Sequence, residues 1–335
     1  MASSGPRTWG RATVLASELV AADVRRIVLE PDVPGPPPPP GCHVDVRIYL
    51  DGRSDVRSYS VVGTGERGTE LVLGVQLAAQ SRGGSAYLHS LRPGAALQVT
   101  APLQDFPLSY GRPQYVLLAG GIGVTALVAM AAELKRRGAD YRVVHVARSR
   151  GRLAFADELE REHAGRLQVH LDDEHGRFDV QALVDGLGPD AELYLCGPIP
   201  LLDAAKRAWA QSGRPGSRLR FESFGSSGRF APEAFRVRIP RLGLEAVVPP
   251  DGSLLDALER CGAEVMHDCR RGECGLCTVQ VLGLDGVLDH RDVFLSEEQH
   301  AEGSRMQACV SRAVSARTAG TAAAPDGAVL TIDVP

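Results

Sequence analysis

Four cysteines, Cys269, Cys274, Cys277 and Cys309, spell C-x4-C-x2-C with a fourth cysteine much later in the chain. The spacing matches the plant-type ligand pattern for a [2Fe–2S] cluster. Three thiolates on one loop must converge on two irons, so the backbone between them has to curl tightly. Gly272 and Gly275 lie inside that curl, where positive φ and close backbone approach are needed. The loop's amide N–H groups then point at sulfur and stabilise negative charge, while Cys309 closes the cage from a separate segment. A zinc site is the nearest rival, but it favours two C-x2-C pairs or mixed Cys/His pairs. A disulfide framework suits small secreted domains rather than a chain of 335 residues. The cysteines therefore imply a carrier of single electrons.

Gly121-Ile122-Gly123-Val124-Thr125-Ala126 fits G-x-G-x-x-A directly after an apolar run and before an amphipathic one. Such a turn brings backbone N–H groups to a pyrophosphate at a helix N-terminus. Alone the motif is weak, because any tight strand–helix turn uses glycine. A second turn, Cys196-Gly197-Pro198, follows a later strand, and in a parallel sheet both turns fall on the carboxyl edge where ligands bind. Together they favour a nicotinamide dinucleotide. Arg57-Ser58-Tyr59-Ser60 ends a β-run: Arg can hold a phosphate, Tyr can cover a flat ring, and Ser can hydrogen-bond a ring nitrogen. An Arg–Tyr pair on a strand also serves ordinary surface packing. Gly83-Gly84-Ser85 opens a short helix and offers N–H groups to a second anion, although Ser85 as a plain N-cap accounts for the same residues.

The remaining polar residues have plainer readings. His145 inside a β-run reads as a packed, hydrogen-bonded histidine, and His267 and His290 as surface residues flanking the cysteine segment. Cys42 and Cys261 read as small buried residues, and Asp172-Asp173-Glu174 as a solvated loop with a lesser chance of meeting an adenosine ribose.

Three kinds of element must position these residues. Residues 1–112 carry short β-rich runs (RATVLASELV, VRRIVLE, HVDVRIYL, VRSYSVV, ELVLGVQL) cut by Gly, Pro or Asp, with a tight turn at Asp51-Gly52. Residues 36–40 are a polyproline loop, and AYLHSL is the one helical stretch, so the segment predicts a small barrel. From Pro113 strands (YVLLAG, YRVVHVAR, LQVHLDD, ELYLCG) alternate with helices (ALVAMAAELKRRG, RLAFADELEREH, VQALVDGL), which predicts a parallel sheet covered on both faces. FESFGSSGRFAPEAF is a Gly/Ser-rich connector. Beyond it come the strands FRVRIP and LEAVVP, the helix SLLDALERCG, the cysteine loop, a mobile loop in SARTAGTAAAPDG and the strand AVLTIDV.

The length calls for about two or three domains, and 44% hydrophobic with 23% charged residues is a globular composition. No signal peptide and no bilayer-length apolar run are visible, so cytoplasmic residence without a membrane is expected. From Val237 onward fifteen Asp/Glu face nine Lys/Arg, within a chain of net charge −4. An acidic segment can steer toward a basic partner, and simple solubility explains it equally well. No basic face suggests nucleic acid.

In their order along the chain, RSYS, RGGS, GGIGVT, HVARS, YLCGP, ESF, DCRRGECGLC, DHRDVFLS and CVSRA resemble the phthalate dioxygenase reductase and vanillate demethylase reductase branch of the ferredoxin–NADP reductase superfamily. The resemblance spans nearly the whole chain. It implies a multidomain protein: an antiparallel β-barrel flavin domain binding FMN (1–112), an α/β parallel-sheet NAD-binding domain (113–225), a linker (226–236) and an α+β ferredoxin-like (β-grasp) [2Fe–2S] domain (237–335). By position it implies that Arg57, Ser58, Tyr59 and Ser60 hold the flavin, with Ser60 near N5, and that Val75, Gln76 and Leu77 line it. Gly83, Gly84 and Ser85 take the FMN phosphate, and Gly121, Gly123 and Thr125 face the pyrophosphate and flavin edge. Arg148 and Ser149 meet the adenosine side, Cys196, Gly197 and Pro198 the nicotinamide, and Phe224 shields the flavin's other face. Two departures stand out. Ala101-Pro102-Leu103-Gln104-Asp105-Phe106 replaces a GP-x-N-x-F-like stretch, and the loop before the last strand is long.

The function so implied is the NADH-dependent reductase component of a Rieske-type oxygenase or demethylase, passing electrons from NADH through FMN and [2Fe–2S] to the terminal oxygenase. Alternatives are a reductase serving a cytochrome P450, a general diaphorase and an iron–sulfur redox sensor. A monomer is expected.

Overall fold

The structure, a computed structural model, describes residues 8–50, 53–78, 83–224, 228–316, 318 and 327–334. It divides into two compact units, one ending at Glu222 and one running from Ser223. Asp51-Gly52, and most of the predicted mobile loop, lie outside the described residues.

The first unit begins with strands β1 (Trp9–Ala21), β2 (Val24–Pro31), β3 (Cys42–Leu50), β4 (Arg53–Gly63), β5 (Leu71–Gln76), β6 (Ala96–Thr100) and β7 (Leu103–Gln104) and helix α1 (Gly84–Ser90). They pair antiparallel in the order β4-β5-β2-β1-β6-β3-β7, and β3 also pairs with β4. That last pairing closes six strands into a barrel and removes their free edges. Every second residue supplies the interior: Val44, Val46 and Ile48 from β3 meet Leu71, Leu73 and Val75 from β5 in one core.

The same unit continues with parallel strands β8 (Tyr115–Gly120), β9 (Tyr141–Ala147), β10 (Leu167–Leu171), β11 (Glu192–Cys196) and β12 (Leu219–Glu222). Helices α2 (Val124–Arg136), α3 (Ala156–His163), α4 (Asp172–His175), α5 (Val180–Asp185) and α6 (Ile199–Gln211) lie between them. The order β10-β9-β8-β11-β12 makes β8 the starting strand, with the chain winding first to one side and later to the other. Every residue of β8 is buried, which is what helices on both faces impose. In α2, Val124, Leu127, Val128, Met130, Ala131 and Leu134 form the buried stripe, and Gly138 at φ 65° ends the run as expected. The acidic run 172–174 is not a loop but the turn of α4, because its backbone closes an N–H bond from Gly176 to the Asp172 carbonyl.

The second unit contains β13 (Phe235–Ile239), β14 (Leu244–Val248), α7 (Leu254–Arg260), β15 (Thr278–Asp285), β16 (Val287–Asp289), α8 (Glu297–Glu302), β17 (Arg305–Gln307), β18 (Arg312–Val314) and β19 (Ala328–Asp333). Five strands form a mixed sheet, β14-β13-β19-β15-β17, with β13 and β19 parallel, and β16 pairs with β18 separately. Ser253 and Asp256 start α7 with a reciprocal capping box, and Leu254, Leu255, Ala257 and Leu258 pack into the sheet's core. This is the β-grasp layout. Among the described residues no helix is long and apolar enough to cross a membrane.

Candidate functional site

The cysteine loop leaves α7 and returns to the sheet at β15, and its curl requires three residues of positive φ. Gly272 (77°) and Gly275 (79°) adopt it freely, while Arg270 (51°) adopts it with a side chain attached. Arg270 is anchored by carboxylates of α7, 2.8 Å from Asp256 Oδ1 and 2.8 Å from Glu259 Oε1, and these ion pairs offset that strain. The glycines also have no room for a side chain. A Cβ on Gly272 would lie 2.9 Å from Asp292 Cα, and one on Gly275 would lie 2.3 Å from the Phe294 ring.

The loop's amides point at sulfur: Arg271 N lies 3.4 Å and Glu273 N 3.5 Å from Cys269 Sγ. Burial pushes the Cys269 thiol up, against those N–H groups. Cys277 is pushed down to about 7, first by the hydrogen bond it accepts from the Cys309 thiol, and Cys309 is raised by the same bond and then by burial. Cys277 and Cys309, on different segments, are thus in contact, and both are buried. All seven cysteines are unpaired thiols, which leaves the disulfide rival without support. Four thiols gathered under backbone N–H groups form a donor set suited to a cluster that holds them deprotonated. His267 and His290 do not join this set. His290 is also not a surface residue, since its side chain is 9% exposed beside Asp292. Cys261 is half-buried rather than buried, its S–H donating to the Leu258 carbonyl 3.2 Å away.

In the first unit the other candidates converge on one region. Arg57, Ser58, Tyr59 and Ser60 follow one another on β4, and α2 packs against that strand. Ser60 is buried and burial pushes the Tyr59 phenol up to about 12, whereas Arg57 pairs with Asp55 at 2.7 Å. Ser58 is exposed and donates its hydroxyl to Asp45 at 2.6 Å. A Cβ on Gly84 would sit 2.9 Å from Arg57 Cγ, so the 83–85 turn and the β4 arginine are in contact. Gly83, at φ 87°, is the N-cap of α1. Ser85 is not the cap; its hydroxyl accepts from Ala78 N at 3.1 Å.

The two glycine turns of the parallel sheet flank the point where its winding reverses, between β8 and β11. They touch: a Cβ on Gly123 would lie 2.1 Å from the Cys196 carbonyl oxygen, and one on Gly120 would lie 2.6 Å from Pro198 and 3.2 Å from Gly197 Cα. The 121–123 turn also abuts β5, the strand of Val75 and Gln76. Val75 is buried, Gln76 donates to Asp23 at 2.9 Å, and Leu77 is exposed. Thr125 is buried and donates to the Ile122 carbonyl at 2.9 Å. The contact that joins sheet to barrel was not read from sequence: a Cβ on Gly74 would meet the Thr125 methyl at 2.5 Å and the Phe155 ring at 2.8 Å. A lone glycine inside the strand run ELVLGVQL was its signal.

Arg148 is exposed and Ser149 half-buried beyond β9. Of the neighbouring arginines, Arg150 faces Glu174 at 3.7 Å and Arg152 pairs with Asp23 at 3.1 Å. His145 is a packed histidine as expected, fully buried with Nε2 3.3 Å from the Gly121 carbonyl, and burial pushes it down to about 4. Phe224 is half-buried just past β12, at the start of the second unit.

Residues 237–314 match the family of 2Fe-2S iron-sulfur cluster binding domains. The chain is 36% identical over 319 residues to a toluene-4-sulfonate monooxygenase system reductase subunit of Comamonas testosteroni, covering 93% of this chain and 97% of that protein. It is 31% identical over 317 residues to the phthalate dioxygenase reductase of Burkholderia cepacia, covering 91% and 95%. The solved structure of phthalate dioxygenase reductase, described as modular and made for electron transfer from pyridine nucleotides to [2Fe–2S], aligns with 97% of this chain and 98% of its own at a TM-score of 0.72 and 28% identity.

Proposed function

The chain belongs to the phthalate dioxygenase reductase family, and from that premise we propose that it is the NADH-dependent reductase of a two-part oxygenase or demethylase system, with FMN and [2Fe–2S] as its cofactors. The observation that carries this reading is the packing of a dinucleotide-type turn, 121–123, against barrel strand β5 in a chain that also holds a four-cysteine cage. When bound, the cofactors convert the two electrons of a hydride into single electrons. The protein's share is orientation and electrostatics.

In this reading the domains run 1–112, 113–225 and 237–335, with a linker at 226–236. Arg57 and the 83–85 turn hold the FMN phosphate, and their mutual contact supports that pairing. Tyr59 and Val75 to Leu77 line the ring, Ser58 lies beside them, and Ser60 offers its hydroxyl at N5. Gly121, Gly123 and Thr125 would face the pyrophosphate, Cys196 with Gly197 and Pro198 would flank the nicotinamide, and Phe224 would shield the flavin. Arg148 and Ser149 meet the adenosine. NADH preference is supported by the engagement of Arg150 and Arg152 with carboxylates, which leaves fewer cations for a 2′-phosphate. Cys269, Cys274, Cys277 and Cys309 ligate the cluster. The terminal partner is an oxygenase of the Rieske type, the reductase is a monomer, and it works in the cytoplasm.

Acid release of the flavin followed by chromatography, with kcat/KM for both coenzymes, tests the assignment. FMN and a clear NADH preference are expected. Stoichiometric FAD overturns the first part, and an NADPH preference overturns the second.

A further inference from the structure

A second group of ligand-type side chains lies behind the cysteine loop. Asp292 is fully buried, and its carboxylate is held by the Leu295 N–H at 2.9 Å and the Ser311 hydroxyl at 3.1 Å. Two imidazoles face it. His300 Nε2, from the last turn of α8, lies 3.2 Å from Asp292 Oδ2, and His290 Nδ1 lies 3.7 Å from Oδ1. The imidazole rings stack with centroids 4.3 Å apart and planes 20° apart. One donor atom from each of the three residues lies within 4.8 Å of the other two.

Ordinary hydrogen bonding does not account for His290. Its side chain is 9% exposed, and the polar neighbour of its ring nitrogens, the Asp292 carboxylate at 3.7 Å, is beyond ordinary hydrogen-bond length. A buried imidazole held only by so long a contact is poorly satisfied. Two neutral imidazoles and a carboxylate are instead the donor set of a borderline divalent ion. Tetrahedral Zn²⁺ with bonds of about 2.0–2.1 Å sets its ligand atoms about 3.3 Å apart. The Asp292–His300 pair already has that spacing, and a movement of the His290 ring toward it would complete the site. The bonds from Leu295 and Ser311 fix the carboxylate's orientation, a common support for a metal ligand. His300 is 17% exposed, which leaves a path for the ion and a position for water.

We propose that His290, Asp292 and His300 form a divalent-metal site of the Zn²⁺ type, separate from the four-cysteine cage. Its consequence is local. Val293 N donates to the Gly272 carbonyl at 3.1 Å and Asp292 packs on Gly272, so the ion fixes the segment against which the cysteine loop curls.

The test uses the full-length protein with flavin and cluster in place, washed with a mild chelator and dialysed against graded Zn²⁺. Bound zinc and iron are then measured together. One Zn²⁺ per chain is expected at micromolar or lower free zinc, with iron content and cluster absorbance unchanged. Affinity should fall at least tenfold in both His300→Ala and His290→Gln. His300 lies on a surface helix, so His300→Ala alone decides the matter if His290→Gln loses its cluster. Absence of binding, equal binding by His300→Ala, or uptake that displaces iron overturns the proposal.

Discussion

In the unit ending at Glu222 the proposed cofactor residues include glycines packed too closely to carry a side chain. Gly84 lies against Arg57, Gly123 against the Cys196 carbonyl, and Gly120 against Gly197. In the unit from Ser223 the proposed site is four thiol side chains, with backbone N–H groups only assisting. A site of side-chain ligands fails when one atom is removed, whereas a backbone cradle fails when one is added. The two sites should therefore break under opposite substitutions.

Cys309→Ala is the most damaging single change expected. Three ligands remain on one loop, but the contact between Cys277 and the later segment is lost along with the fourth sulfur. The visible absorption beyond the flavin bands should vanish while flavin stays bound. A full [2Fe–2S] spectrum in this variant contradicts the assignment.

Gly123→Ala should do the converse. The added methyl meets backbone of the facing 196–198 turn, the Cys196 carbonyl oxygen at 2.1 Å and Gly197 N at 2.9 Å, and neither can rotate away. A displacement of about 1 Å at a hydride-transfer geometry costs on the order of 100-fold, so kcat/KM for NADH with ferricyanide should fall by about that factor. The cluster spectrum should not change. A normal rate would show that the two turns do not frame the nicotinamide.

A third effect bears on stability and depends on pH. His145 has a folded pKa of about 4, below its unfolded value near 6.5. Between these values the unfolded chain takes a proton that the folded chain excludes, so stability falls as pH drops from about 6.5 toward 4. The full effect is about 3 kcal/mol at most. Denaturant midpoints followed by flavin release should drop over that window, and His145→Gln should flatten the drop. An unchanged slope in the variant removes His145 as the cause.

How much was legible follows the same division. Cysteines are written as residue types at fixed spacing, so the loop that gathers them and its two positive-φ glycines could be read directly. Strand alternation and the strand–helix series likewise gave the barrel and the parallel sheet, because those periods are local. The Gly74–Thr125 contact and the bracing of Gly272 by Asp292 join residues far apart in sequence, and no local pattern encodes them. His290 looked like a surface residue because charged neighbours surround it in the sequence, yet the fold turns it inward against His300. The acidic run 172–174 looked like a loop because polar residues carry no periodic signal, although it forms a helical turn.

The central claim is that electrons reach the oxygenase through the cluster. Truncation after Ser227 tests it most directly, since the first unit is compact to Glu222 and contains all the flavin and NADH candidates except Phe224, which the cut retains. The truncated chain should still oxidise NADH with ferricyanide. Its reduction of cytochrome c and its support of the oxygenase should fall steeply. If it drives the oxygenase at the full rate, the cluster is not on the electron path and the account fails.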